Sequence, residues 1–482
     1  MDQDASGPII ETFLESGAAH RTLGLVYGRR RIGKSTLLQR IAVARGGFYW
    51  EATRTAPAVH LARLGEALGA HLGMGRLSFE TWEEALAELL RLGQRGPLPV
   101  ILDEFGYLLE ADPSLDSVVA AALGPAKRQA NPGEARLLLC GSAMAMMGAL
   151  TAGQAPLRGR AGLELVMQPF GYRASSRLQG LDHSLALAVR VHAVIGGVIG
   201  YATDMVDHDL PADPGDFDRW VADRVLSPAS ALHHEATTLL AEDPTLSAGS
   251  PTLHHSILGA IANGAVTAGT LANRLRRPVP NLDPALKRLI SAGFVIRHED
   301  PLRAQRPTYA LADPFLLFHY VILDPHGPLL REQDPMRTWT RRLSATYGSL
   351  VRGPVFEEQT RSWVRRHAQP STLGGDPDQV GPARVVVDGM ERQLDVVVAT
   401  SDPGVTAPSE RRVLAMGEAK AGETMGRGRL RALERVRGAL GVRASAAKLL
   451  LFAPAFTSNL LAEASARADT ELVDLDRLYH GG

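Results

Sequence analysis

The sequence predicts a multidomain α/β chain, on three observations. Its 482 residues exceed what one hydrophobic core usually fills. Short apolar runs alternate with helical patterns through the first 170 residues, as a sheet covered by helices requires. From Arg173 to about Asp243 the apolar spacing is purely helical, and from about Tyr347 helices and strands mix again.

Composition narrows the function classes. With 45% hydrophobic and 22% charged residues, and 48 Gly and 30 Pro spread along the chain, collagen-like, mucin-like and disordered readings drop out. Lys plus Arg equals Asp plus Glu at 52 each, so nucleic acid could be attracted only by a local patch. The one cysteine, Cys140, can form neither an internal disulfide nor a thiolate metal site. Met1 to Ile10 carries two acids and no base, unlike a targeting segment, and the apolar stretch Leu185 to Val206 is interrupted by Arg190, His192 and Asp204. A soluble, cytoplasmic protein with no membrane partner is the expectation.

The expected strands of the first region are Leu23–Tyr27, Phe48–Ala52, Pro99–Leu102, Arg136–Cys140 and Leu163–Met167. After the helical region, Leu253–Ala262, a helix capped by Thr267 and a helix opened by Asp283 and Pro284 precede two short strands, Phe294–His298 and Thr308–Leu311. That order resembles a winged helix-turn-helix. Two prolines, a glycine and charges over Asp324–Asp334 read as linker. The last region reads αβββαβ plus a strand: a helix around Phe356–Trp363, strands Arg384–Asp388, Gln393–Val398 and Arg412–Met416, helix Arg427–Leu440, strands Lys448–Phe452 and Glu471–Asp474. The expected units are therefore 1–172, a helical lid 173–245, a winged helix 250–323, a linker 324–346 and a C-terminal α/β unit 347–482.

Gly28-Arg29-Arg30-Arg31-Ile32-Gly33-Lys34-Ser35 matches GxxxxGK[ST] in full, between a strand and a helix that takes in Thr36. In such a loop backbone N–H groups and the helix N-terminus surround phosphates, Lys34 reaches the β- and γ-phosphates, and Ser35 offers a hydroxyl to Mg²⁺. Pro99-Val100-Ile101-Leu102-Asp103-Glu104 then reads as a Walker B strand, Asp103 serving Mg²⁺ and Glu104 the attacking water. Ser142, at a strand tip, is either a γ-phosphate sensor or a simple turn residue, and Arg158 and Arg160 are either charge-neutralising guanidiniums or solvated loop residues. ATP with Mg²⁺ is the implied ligand pair.

Together with Phe48-Tyr49-Trp50, Cys140-Gly141-Ser142, Pro156-Leu157-Arg158-Gly159-Arg160, Gly196-Gly197 and Asp313-Pro314-Phe315, these motifs resemble the archaeal-type ATPases of the signal-transduction (STAND, AAA-related) P-loop NTPases. The chain departs from that group at its start, where Pro8-Ile9-Ile10-Glu11 replaces a Phe-x-x-Arg-x-x-Glu opening.

In the last region Asp395 lies on one strand, and Glu418 and Lys420 stand at i and i+2 on another, hence on one face. Two such carboxylates can share a divalent metal, Mg²⁺ or Mn²⁺, with Lys420 aimed at the same site. This is the D…ExK core of a restriction-endonuclease-like fold, with Glu357 on the preceding helix as fourth member, and the resemblance implies the same, since that ATPase group commonly carries a C-terminal nuclease-like domain of unknown function. An active metal-dependent nuclease and an inactive fold that only recognises DNA or a partner both remain open, as do DNA binding, protein docking and self-association for the winged helix.

Only five of the 52 basic residues are lysines, Lys34, Lys127, Lys287, Lys420 and Lys448, so a lysine marks a place where a compact ammonium matters. His233-His234 and His254-His255 diverge by about 100° on a helix and are expected at the surface, without metal.

Overall fold

The structure is a computed structural model describing residues 6–16, 22–124, 135–247, 249–401 and 407–482. The opening segment is described only from Ser6, and Lys127 lies outside the described residues.

Strands β1 (Leu23–Tyr27), β2 (Phe48–Glu51), β3 (Pro99–Asp103), β4 (Arg136–Gly141) and β5 (Ala161–Val166) form an all-parallel sheet ordered β2-β3-β4-β1-β5. β1, β3 and β4 are buried at every position, which is why they read as unbroken apolar runs: helices cover both faces. Val26, Ile101 and Leu138 belong to one core with Phe13, Leu38 and Ile41, from helices Ser6–Glu15 and Lys34–Arg45. Leu25, Leu102 and Leu137 belong to the other with Leu64, Leu68 and Leu86, from helices Pro57–His71 and Trp82–Arg91. The chain is thus multidomain α/β with a parallel central sheet that fits a P-loop NTPase.

Beyond β5 the chain is helical through Tyr172–Leu178, Leu185–Ile195, Phe217–Trp220 and Leu232–Glu242, with π-helical turns at Tyr201–Met205 and Val221–Val225. No described helix is long and apolar enough to cross a membrane. Helices Pro251–Ala262, Ala268–Leu275 and Val279–Ser291 lead to an antiparallel hairpin, β6 (Val295–His298) with β7 (Thr308–Leu311). Thr267 forms a full capping box with Thr270. The third helix opens at Val279 and not at Asp283, because Pro278 and Pro280 preset the first turn. Asp283 sits inside it, paired with Lys287 at 2.7 Å.

The linker expectation is corrected. Residues Asp324–Glu332 are helical, and from Pro335 the chain runs through π-helical turns at Trp339–Leu343 and Gly348–Arg352 straight into helix Gly353–Arg366. Of the two prolines that suggested a loop, Pro325 stands in a first turn and Pro328 lies inside the helix, while Pro335 opens the next helix, capped by Asp334 through the Arg337 N–H. Pro354 follows a π turn, where the widened backbone takes up its missing donor. Trp339, Leu343 and Tyr347 are buried in the same apolar core as the lid helices.

β8 (Gln379–Val387), β9 (Met390–Thr400), β10 (Arg412–Ala419), β12 (Lys448–Phe452) and β14 (Thr470–Val473) form a mixed sheet, β14-β12-β10-β9-β8; β11 (Thr424–Met425) pairs separately with β13 (Ala455–Phe456). β8, β9 and β10 are antiparallel neighbours, whereas β10, β12 and β14 are parallel. Helix Arg427–Leu440 covers one face through Leu430, Leu433 and Val436; helix Gly353–Arg366 covers the other, its Trp363 ring centroid 5.8 Å from Phe452. One apolar core reaches from Ile10 to Tyr479, crossing every boundary that the sequence suggested.

Candidate functional site

The phosphate loop follows from local backbone demands. A Cβ on Gly28 would lie 2.4 Å from the Met167 carbonyl oxygen, and Gly33 has φ 90°, so both positions need glycine. Arg31 is also left-handed, with φ 63°, and its carbonyl accepts the Gly200 N–H at 2.9 Å, tying the loop to the helical region that follows β5. Lys34 is buried, and its Nζ donates to the carbonyls of Gly28 at 2.7 Å and Arg29 at 2.9 Å. Burial lowers its pKa, opposed in part by Glu104 and Asp103. Ile32 is in the core, Ser35 is half-buried and Thr36 exposed.

Gly28, Asp103 and Ser142 all stand at C-terminal strand ends, where the order reverses around β1 and parallel sheets bind ligands. Asp103 is fully buried; Oδ1 accepts the Glu104 N–H at 2.8 Å and Oδ2 the Tyr49 hydroxyl at 2.8 Å. The same Tyr49 hydroxyl is hydrogen-bonded with Ser35, so the Ser35 and Asp103 oxygens share one neighbour, a donor set that fits Mg²⁺. Glu104 has φ 50°, and its Oε2 accepts the Ser142 hydroxyl at 3.0 Å. Ser142 therefore tethers the carboxylate expected to act on water.

Arg158 and Arg160 go the other way. They precede β5, whose first residue pairs with Leu23 at the start of β1, so they occupy the end of the sheet away from the phosphate loop. Arg158 donates to Gly153 O at 2.6 Å and Arg160 to Pro156 O at 3.2 Å. The charge-neutralising role expected for them is corrected on this placement: strand direction, which motif spacing does not reveal, carries them off.

Sequence reasoning missed how the three loop arginines are used. Arg29, buried and stacked 4.7 Å from the Phe294 ring centroid, pairs with Asp313 at 2.9 Å, which also accepts the Tyr201 hydroxyl at 2.9 Å. Arg30 pairs with Glu242 at 2.9 Å and donates to the Tyr107 hydroxyl at 2.6 Å. Arg31 pairs with Glu235 at 2.8 Å and lies 3.6 Å from Asp204. Beside the loop, Arg30, Ser142, Glu242 and Phe294 bound a pocket of about 20 Å³, room for roughly one water. The only hint in the sequence was the Asp313-Pro314-Phe315 motif.

In the C-terminal region β9 and β10 pair Val396 with Gly417, so the next residues, Asp395 and Glu418, face each other across the strands. Lys420 Nζ lies 2.8 Å from Glu418 and 3.7 Å from Asp395, and the Ala419 N–H donates to Asp395 Oδ2 at 2.9 Å. Arg361, missed by sequence reasoning, is buried, donates to the Asp395 carbonyl at 2.8 Å and lies 3.9 Å from Glu357. Arg429 adds a contact to Glu418 at 3.3 Å. Burial, then Asp395, push the Glu357 carboxyl up to about 8; burial, then Glu418, raise Asp395. Carboxylates that resist sharing negative charge fit a cation. Among the described residues, no group of three or more His, Cys, Asp or Glu side chains is arranged to hold a metal. The surface expectation fails for His254, which is fully buried, and for His233, which is half-buried.

No protein-family model matches the chain. It is 23% identical over 312 residues to an uncharacterized protein of Methanocaldococcus jannaschii, covering 64% of this chain. The chain spans 65% of the length of that curated relative. Among solved structures it is similar to a Walker-type ATPase of Pyrococcus abyssi, at a TM-score of 0.49 and 22% identity over 67% of this chain and 96% of that one. It is also similar to the ORC2 protein of Aeropyrum pernix, solved as ADPNP and ADP complexes, at a TM-score of 0.40 and 18% identity over 68% and 93% of the two chains.

Proposed function

We propose that the chain is an ATP-binding, slowly hydrolysing regulatory switch whose C-terminal region is a metal-dependent DNA nuclease. The observation that carries the switch is the pairing of all three phosphate-loop guanidiniums with carboxylates from downstream segments, Asp313, Glu242 and Glu235. A loop that wraps a triphosphate cannot move without loading these contacts.

In this reading Lys34 leaves its two carbonyls for the β- and γ-phosphates, while Ser142 releases Glu104 to orient and deprotonate the attacking water. Ser35 and Asp103 would hold Mg²⁺, which would neutralise phosphate charge. Arg29, anchored by Asp313, reports the state of the loop to the hairpin region. At the other site Asp395 and Glu418 would hold a divalent cation, which would supply Lewis-acid polarisation of a phosphate; Lys420 would position the nucleophilic water, and Arg361 holds the Glu357 and Asp395 segments together.

ATPase turnover of the purified chain with and without DNA is the test. Switch NTPases hold their triphosphate until a partner completes the site, so basal turnover is expected well below about 10 s⁻¹. A faster unpartnered rate contradicts the switch. Absence of strand scission under every nucleotide and metal condition leaves a nucleotide-gated binding protein with an inactive nuclease-like fold.

A further inference from the structure

A cleft of about 610 Å³ opens between the β6–β7 hairpin on one side and helix Gly353–Arg366 with the β8–β9 edge on the other. Its walls are fixed. Leu302, in the hairpin loop, is buried in the same core as Val385 and Leu394, and a Cβ on Gly381 of β8 would lie 2.7 Å from the Glu299 carbonyl oxygen. The hairpin loop is thus docked on the C-terminal sheet and is not free to embrace a duplex.

The lining is cationic. Arg303 and Arg306 come from the hairpin loop; Arg361, Arg365, Arg366 and Arg384 come from the opposite wall. These six guanidiniums face four carboxylates, of which Glu358 serves both Arg361 and Arg365, and Glu391 both Arg303 and Arg384. Positive charge is left over, and Arg306 is exposed. Phe170 and Tyr309 add aromatic rings to the walls. The cleft also leads to the carboxylate site: Glu357 lines it, and the charge of Asp395 acts directly on Glu357.

The geometry points to this cleft as the binding channel for a single-stranded nucleic-acid segment, its phosphates met by Arg303, Arg306, Arg365 and Arg384 and its course leading past Glu357 to Asp395 and Glu418. The volume suits one or a few unstacked nucleotides and no duplex, and a cationic groove with aromatic faces is how single strands are held. The inference deepens the nuclease reading and rests on it only for the cleavage step, not for binding.

Fluorescence anisotropy of a labelled 12-mer oligodeoxythymidine with the full chain in EDTA tests it. The single strand is expected to bind at least tenfold tighter than a duplex of equal length. Arg306→Glu with Arg365→Glu should weaken it at least tenfold and reduce the salt slope by about 1.5, with an unchanged circular dichroism spectrum. Arg276→Ala with Arg277→Ala, on the recognition-helix side, should leave it intact. No binding, preference for duplex, indifference to the Arg306 and Arg365 changes, or loss with the Arg276 and Arg277 changes overturns the channel. Ultraviolet crosslinking of the wild-type chain needs no variant: adducts should map to the cleft, and adducts confined to helix Val279–Ser291 refute it. Strand binding without scission in Mg²⁺ or Mn²⁺ removes the nuclease and keeps the channel; scission unaffected by the Arg306 and Arg365 changes does the reverse.

Discussion

Lys34 and Lys420 have opposite surroundings. Lys34 is held by two neutral backbone carbonyls, and burial pulls its pKa down more than Glu104 and Asp103 raise it. Around Lys420 burial also works against the charge, but the hydrogen bond to Glu418 and the field of Asp395 outweigh it and raise the pKa. There the lysine is already matched by carboxylates, and what would relieve Asp395, Glu418 and Glu357 is another cation. The same residue type thus sits in a carbonyl cradle in one region, where we propose a phosphate site, and among carboxylates in the other, where we propose a cation site.

The largest effect expected at the anion site separates two variants. Lys34→Ala should weaken triphosphate binding about 100-fold, the worth of one or two charged hydrogen bonds, whereas Glu104→Gln should bind normally and lose about 10²–10⁴ in turnover. Equal turnover in wild type and Glu104→Gln would remove Glu104 from the role of base. At the cation site, calorimetry should show Mg²⁺ or Mn²⁺ binding that Asp395→Ala abolishes. Strand cleavage should fall at least about 100-fold in Asp395→Ala and Lys420→Ala yet persist in part in Lys34→Ala. Cleavage that vanished with Lys34 alone would merge the two sites into one machine.

Between the sites, the clamp contacts should differ in strength. Asp313→Ala strands the buried Arg29 guanidinium and should cost about 3–5 kcal/mol in urea denaturation. Glu242→Ala breaks the half-exposed pair with Arg30 and should cost about 1 kcal/mol or less. Similar losses would mean the buried pair is not the anchor.

The smallest effect is pH-dependent. His298 and His319 are buried, and burial pushes both down to about 4, so both are neutral in the folded chain near pH 7. Unfolded histidine takes up its proton near 6.5, so this contribution is complete above about 6.5 and is lost as pH falls toward 4, at most about 3 kcal/mol for each residue. Melting temperature against pH should flatten in His319→Gln over that window.

The phosphate loop was legible in the sequence because its geometry is written within one short segment, Gly28 to Ser35, and the meeting of Glu418 with Lys420 because they stand two residues apart at a strand end. The clamp was not: Asp204, Glu235, Glu242 and Asp313 are ordinary acids in sequence, brought to Arg29, Arg30 and Arg31 only by tertiary packing. Arg158 and Arg160 misled because their motif says nothing of which end of the sheet they occupy. The segment after Asp324 misled because proline was counted as a breaker, whereas Pro325 stands in a first turn and the helix carries Pro328 inside it.

The helix that runs unbroken from Pro335 to Arg366 has the geometry of a lever arm. Its near end is seated in the lid, where Trp339 Nε1 donates to Asp218 at 2.9 Å and the Tyr347 hydroxyl to the Arg190 carbonyl at 2.7 Å. Its far end bears Glu357 and Arg361 against Asp395. At about 1.5 Å per residue the arm from Trp339 to Glu357 is roughly 27 Å, so a tilt of about 5° at the lid would carry Glu357 through about 2 Å. Reactive geometry tolerates only about 0.5 Å. A displacement too slight to alter the outline of the molecule would therefore be enough to assemble or disable the distant site.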